Sequence, residues 1–218
     1  MGRKTKYLTN RKNMAAIGIG AMIIFIAMVL VAGIAASVLV QTSTRLEMQA
    51  LKTGQETIAE VSSGITVEGV EGYNASGKIT KMAIEIRPKA GAPDIDLEQA
   101  IIEISDSTNK YVLGYGSDYK NSTSIDGDLS TNGAWGSSTT FGITVLQDAD
   151  ESCTSTTPVI NDGDHVILGI DTSSVFTVNS GLLPRTDVSG LVICEEGAAG
   201  IVGFTTPASY IDAWMELQ

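Results

Sequence analysis

The pattern of apolar and polar positions divides the chain into unlike parts. From Asn13 to Thr44 there is no charged residue, and Met14 to Val40 is almost wholly apolar. About 20 such residues are enough to cross the ~30 Å hydrocarbon core of a bilayer. Past Arg45 the pattern changes. Leu46, Ala50 or Leu51, Gly54, Ile58 and Val61 recur every three to five residues, with Glu47, Lys52, Gln55, Glu56 and Glu60 between them. That is helical amphipathicity with a narrow stripe, as in a coiled coil. No Pro precedes Pro88, and Ser62-Ser63-Gly64 is a stop signal. The pattern predicts one helix from about Ala16 to Ser62, roughly 70 Å long at 1.5 Å per residue.

Beyond Gly64 the period falls to two, and the body reads as all-β. Met82, Ile84 and Ile86 alternate with Lys81, Ala83 and Glu85. Ala100, Ile102 and Ile104 form a second run, and Tyr111, Leu113 and Tyr115 a third. Phe141, Ile143 and Val145 follow, then Val166, Leu168 and Ile170, then Leu191 and Ile193, then Val202 and Phe204. Turn signals separate them at Asn74-Ala-Ser-Gly77, Asp126-Gly-Asp128, Thr131-Asn-Gly133 and Asn161-Asp-Gly163. Short strands with such punctuation predict an immunoglobulin-like β-sandwich. Gly116–Ser138, rich in Gly, Ser, Asn and Asp, reads as a long surface loop. The fold class is therefore α+β: a leader over 1–15, a long hydrophobic helix over 16–63 and a sandwich domain over 64–218.

Charge sharpens this division. Residues 1–15 hold five basic residues and no acid, whereas the remainder holds nine basic and 25 acidic. By the positive-inside rule the basic head stays in the cytoplasm and the acidic body lies outside. An overall charge of −11 argues against nucleic-acid binding, which needs clustered Lys and Arg. An acidic body suits a salty medium, where the Debye length falls to ~3 Å at 1 M. The apolar run fits either a permanent anchor or a secretory signal cut near Ala35 or Ala36. Its length exceeds the usual h-region, and neither reading needs the amphipathic extension.

Candidate chemistry is sparse. The one His, His165, has no nucleophile pattern around it and reads as a strand-end surface residue. Gly72 to Lys78 matches part of a P-loop, but Ile79 stands where a magnesium-binding hydroxyl is required, and a strand follows. Asn74-Ala-Ser76 and Asn121-Ser-Thr123 are glycosylation sequons in predicted loops. Cys153 and Cys194 are the only cysteines. Outside the cell they are free to bridge, which the loop-entropy estimate values at about 4 kcal/mol; two buried thiols on separate strands is the alternative. Asp148, Asp150 and Glu151, like Asp126/Asp128 and Asp162/Asp164, offer hard oxygen ligands for calcium, although none follows the EF-hand pattern.

The stretch from Ala16 to Val40 closely resembles the N-terminus of archaeal flagellins (archaellins), most specifically over Phe25-Ile-Ala-Met-Val-Leu-Val-Ala32. Pro88-Lys-Ala-Gly-Ala-Pro-Asp-Ile-Asp-Leu97 is similar to that family too, as is the tail from Phe204-Thr-Thr-Pro-Ala-Ser-Tyr210 to Trp214-Met-Glu-Leu-Gln218. Bacterial type IV pilins carry a Glu at the fifth mature residue; here Gly20 or Ile19 takes that place, which favours the archaellin likeness.

The resemblance implies a non-enzymatic structural subunit of an extracellular swimming filament on the archaeal cell surface, a homopolymer that can include other archaellins. It implies a membrane-bound prepilin-type leader peptidase, residence in the membrane before assembly, and extraction by a motor and assembly complex. Register against Gly18-Ile-Gly20 places the cut between Ala15 and Ala16, with Met14–Ala15 as the alternative. The assembling face would comprise Gly18, Gly20, Phe25, Ile26, Met28, Leu30 and Gly33. Small-xxx-small pairs such as Ala16/Gly20 and Gly33/Ser37 permit close helix contact. N-linked glycans are implied at Asn74 and Asn121, and no other cofactor apart from calcium in the acidic loops. An adhesive archaeal pilin, or a membrane-anchored β-domain that binds a ligand, would share much of this pattern.

Overall fold

The structure is a computed structural model that describes residues 3–124 and 127–218, with side chains from Ile17 onward except those of residues 59 and 122. Its first element is helix α1 (Arg3–Ser62), which ends where the stop signal placed its end and runs back through the predicted leader. Gly64, at φ +128°, turns the chain out of the helix. By internal contacts the chain forms two compact units, residues 1–55 and 56–218. The first is helix alone; the second holds the helix end and every strand.

Eleven strands follow: β1 (Ile65–Ala75), β2 (Lys78–Pro88), β3 (Ile95–Asp96), β4 (Ile101–Ser105), β5 (Lys110–Lys120), β6 (Thr140–Gln147), β7 (Val159–Ile160), β8 (His165–Ile170), β9 (Asp187–Ile193), β10 (Gly200–Thr205) and β11 (Trp214–Glu216). Two one-turn helices, α2 (Leu129–Asn132) and α3 (Thr172–Val175), lie between them, each N-capped by an Asp. Long helix and β-rich body together give the expected fold class.

The sandwich is built from one hydrogen-bonded sheet. Nine strands join in the order β10-β9-β4-β5-β6-β8-β2-β1-β11, and β3 and β7 pair separately. All neighbours are antiparallel except β5 and β6. The sheet curls until its two ends meet. Ile65 N donates to Ala198 O at 3.2 Å and Ala198 N to Ser63 O at 3.1 Å. Gly203 N donates to the Gln218 side chain at 2.7 Å, while Val70 N donates to Gln218 O at 3.2 Å. Curling lets strands from the whole sheet share one core, which includes Ile84, Ile102, Leu113, Phe141, Leu168, Val192 and Phe204.

Two expectations are corrected. The run read at Leu191 and Ile193 is a strand but does not mark the core face: Val188, Val192 and Cys194 are buried and Leu191 and Ile193 point outward. The strand is apolar on both faces, so alternation alone could not fix its register. Gly116–Ser138 is not wholly a surface loop either. Its start continues β5, and its end packs down on the sheet. Ala134 N donates to Thr144 Oγ1 at 3.0 Å, and Asp171 N donates to Trp135 O at 2.9 Å. Trp135 then stacks on Trp214 at 6.1 Å, and Trp214 meets Tyr73 at 5.2 Å. Lys81 lies over the Trp135 ring, 5.0 Å from its centroid, and bonds to Ser130 O.

Gly142 and Gly169 leave room for this strap; a Cβ on either would run into the backbone of Ala134. We expect Gly169→Ala to destabilise the protein by about 1–3 kcal/mol through overpacking. Tryptophan fluorescence during thermal unfolding should show a lower midpoint, and a red-shifted native spectrum as Trp135 leaves Trp214.

Candidate functional site

The largest functional surface is the helix itself. Across Ile17–Val40 the apolar side chains are exposed, Phe25 at 66%, Met28 at 68% and Leu30 at 62%. Ile26 is exposed with them. Beyond the adjoining backbone of the helix itself, no described atom lies within 4 Å of where a Cβ would stand on Gly18, Gly20 or Gly33. They form shallow steps on the helix wall that another helix can approach closely. Water is a poor solvent for such a surface, so it demands either lipid or other apolar helices. Ala15 and Ala16, the proposed cut, fall on α1, but their side chains lie outside the described residues.

The acidic loops sort themselves differently from the sequence grouping. Asp148, Asp150 and Asp164 bring carboxylate oxygens within 4.8 Å of one another. Glu151 and Asp162 stay outside this group, Asp128 caps α2 through Ser130 N at 2.9 Å, and Asp126 lies outside the described residues. Asp164 is buried and accepts from Asn161 N at 2.8 Å. Burial, then the charges of Asp148 and Asp150, raise its pKa. Asp150 is held below the usual carboxylate range, chiefly by the Asn161 side-chain amide and by Ser152. Among the described ion pairs none brings a Lys or Arg to these carboxylates. Three hard oxygen donors around a small space form a donor set suited to calcium.

The two sequons differ in access. Asn121 is exposed just past the end of β5. Asn74 is half-buried where β1 turns toward β2; its Oδ1 accepts from Gly77 N at 3.2 Å, and its Nδ2 donates to Asp212 O at 3.3 Å. A glycan on Asn74 would have to replace that last bond.

A family model described as archaeal-type flagellin matches residues 15–204. Flagellin B2 of Methanocaldococcus jannaschii is 47% identical over 206 residues, 93% of this chain and 94% of that protein. The chain belongs to the archaeal flagellin family. Flagellin B3 of Thermococcus kodakarensis is 34% identical, over 95% of this chain and 98% of its own. The crystal structure of archaeal flagellin FlaB1 from Methanocaldococcus jannaschii superposes with a TM-score of 0.64 at 34% identity, covering 72% of this chain and 97% of that one. The archaeal flagellum of Methanospirillum hungatei gives a TM-score of 0.60 at 15% identity, over 88% of this chain and 95% of that chain, a likeness of fold.

Other features of this archaeal flagellin fall into place around the fold. The partial P-loop is the β1–β2 turn: Gly77 has φ +75°, and the Lys78 amine is spent on Asn179 O at 2.5 Å. His165 is less isolated than its sequence context indicates. Its Nε2 lies 2.9 Å from Glu68, which also holds Arg87 at 3.0 Å, and its Nδ1 lies 3.5 Å from Glu85. The β1–β2 hairpin and the distant strand β8 assemble this cluster, and no local motif could have shown it.

Of the two alternatives for the cysteines, the structure carries the free thiols. Cys153 and Cys194 are both free and buried. Cys153 lies between β6 and β7, where its carbonyl accepts from Tyr119 Oη at 2.6 Å, while Cys194 follows the end of β9. Burial pushes the Cys153 thiol up to about 12, helped by Asp148 and Asp164, and the Cys194 thiol up to about 11. Below those values each stays protonated, and a thiol is a far weaker nucleophile than a thiolate. The native protein should therefore resist iodoacetamide at pH 8 and take up two equivalents only once unfolded, counted by intact mass.

Proposed function

We propose that this chain is a structural subunit of an archaellum, the extracellular rotating filament that drives archaeal swimming. The observation that carries the reading is the uncharged helix surface, exposed from Ile17 to Val40, on a chain that is 47% identical to a flagellin over 93% of its length. Polymerisation buries that surface. Each apolar side chain that leaves water contributes about 1.5–3 kcal/mol, so the drive for bundling is large. The subunits form a homopolymer or assemble with other archaellins.

The route follows from the same chain. Before assembly the apolar segment resides in the membrane, with its basic head in the cytoplasm. A prepilin-type leader peptidase cuts between Ala15 and Ala16, or one bond earlier. The family match beginning at residue 15 supports this register. Removal of the leader discards five positive charges and frees the helix to be drawn from the membrane by the motor and assembly complex. Asn121 carries an N-linked glycan; at Asn74 a glycan competes with the bond to Asp212. To test this reading, filaments sheared from cells are collected and the mature N-terminus and intact mass of this chain determined. A start at Ala16 or Ala15 in swimming cells, with excess mass lost in Asn121→Gln, is expected. A full-length chain found only in membranes, or filaments that adhere but never rotate, would overturn it.

We further propose that Asp148, Asp150 and Asp164 take a calcium ion. The ion would neutralise three crowded carboxylates and tie the β6–β7 segment to the turn before β8. At pH 7 added calcium should raise the unfolding temperature, chelator should reverse the gain, and Asp150→Asn should abolish the response. The gain should fade as acid protonates the carboxylates, because only the ionised carboxylate binds the ion.

A further inference from the structure

The outer face of the β10-β9-β4-β5 part of the sheet is apolar and uncovered. Ile201 lies opposite Leu191, which lies opposite Glu103, which lies opposite Val112; Ile193 lies opposite Ile101. Paired residues share a face. Ile201 is 68% exposed and Val112 55%, with Leu191, Ile193 and Ile101 partly open beside them. In the apolar rows the charges pair, since Lys110 Nζ sits 2.6 Å from Glu103, and Asp187, at the edge of the same face, accepts from Thr205 Oγ1 at 2.5 Å.

The same unit carries a second apolar feature, of opposite shape. Ile211 is 87% exposed and Val178 75%. Both flank the β1–β2 turn. Asn179 O accepts from Lys78 beside Val178, Asp212 O accepts from Asn74 beside Ile211, and Tyr210 Oη ties the two segments by donating to Leu182 O at 3.3 Å. This knob and the open face lie at separate places on the unit. Gly200, where β10 begins, packs on Ile65 and Val67 at the start of β1, whereas the knob stands beyond the far end of β1. One copy therefore cannot seat its own knob.

We propose that the knob of one subunit docks on the apolar face of a second copy of this chain, making a head-to-tail contact between outer domains along the filament. The inference rests on the filament reading above. Residues 56–218 hold seven basic and 24 acidic residues, so two copies repel each other over most of their surfaces. The apolar rows of this face, where Lys110 and Glu103 pair and Asp187 stands at the edge, are where like-charged copies meet with the least of that penalty. A contact between two different patches repeats without closing when its rotation does not complete a ring, which is the geometry of a helical polymer. The handful of residues involved is far below the roughly 20–30 per side of a stable free interface. The contact forms only where the helices already hold the domains at high local concentration.

The test is I201C/I211C in filaments sheared from cells, oxidised and run on a non-reducing gel. Cys153 and Cys194 stay in place because both are buried. The double variant should give a ladder of dimer, trimer and higher species that consumes most of the monomer, while I201C and I211C alone remain monomeric. V112C/V178C provides a second pair on the same two surfaces if the first pair hinders assembly. Intact filaments without a ladder, with the introduced thiols open to a maleimide probe, would overturn the pairing and leave the filament reading standing. Dimers from I201C alone would overturn it too, because the face would then meet itself. Wild-type cells whose sheared material lacks this chain would overturn the filament reading and the pairing together.

Discussion

An exposed, uncharged apolar surface on the helix governs this protein. Within the helix unit no described residue covers the outward side chains of Ile17–Val40, and none fills the steps left by Gly18, Gly20 and Gly33. The cost of wetting such a surface exceeds the few kcal/mol by which domains are ordinarily stable, so the helix must always be in lipid or against other helices. The remaining features answer to that demand. From Asn13 to Thr44 the helix carries no charge that would block either environment, and the second unit carries the charge that this stretch lacks.

That second unit solves its own problem by closing its sheet. A flat nine-stranded sheet would expose one face and two edges. Here the sheet curls so that one face becomes the core, and the seam is stitched by bonds from Ala198 and Gln218. The outer face is covered where the Trp135 strap lies on β6 and β8, and it remains open over β4, β5, β9 and β10. Sites on the body thus come from loops and outer faces, while the interior serves stability.

Legibility in the sequence followed the range of the interactions. The end of α1 at Ser62 is local, written in Ser-Ser-Gly, and so is the alternation that buries Met82, Ile84 and Ile86. The register of β9 was not legible, because Val188, Leu191, Val192 and Ile193 offer two apolar faces and only the fold chooses between them. The strap at 133–136 looked like loop because Gly133 and Gly136 bracket it within a stretch rich in Gly, Ser, Asn and Asp; what holds it is an unsignalled fit between Ala134 and two glycines on separate strands. Asp164 joins Asp148 and Asp150, rather than its neighbour Asp162, because a turn aims it inward. Cys153 and Cys194 sit on separate elements, each buried as a free thiol, a placement that no spacing encodes.

The attachment of β1 has a mechanical consequence. The residues at the end of α1 pass through Gly64 straight into an eleven-residue strand that pairs with β2 along its length and with β11 near its far end. Tension applied at Ile65 along the strand acts on these ladders in shear, so many hydrogen bonds share the load at once instead of breaking one by one as a zipper would. A domain gripped in this way can be dragged through a viscous medium by its stem without unravelling, and the torque of a turning shaft reaches the outer wall through the strand best placed to resist it.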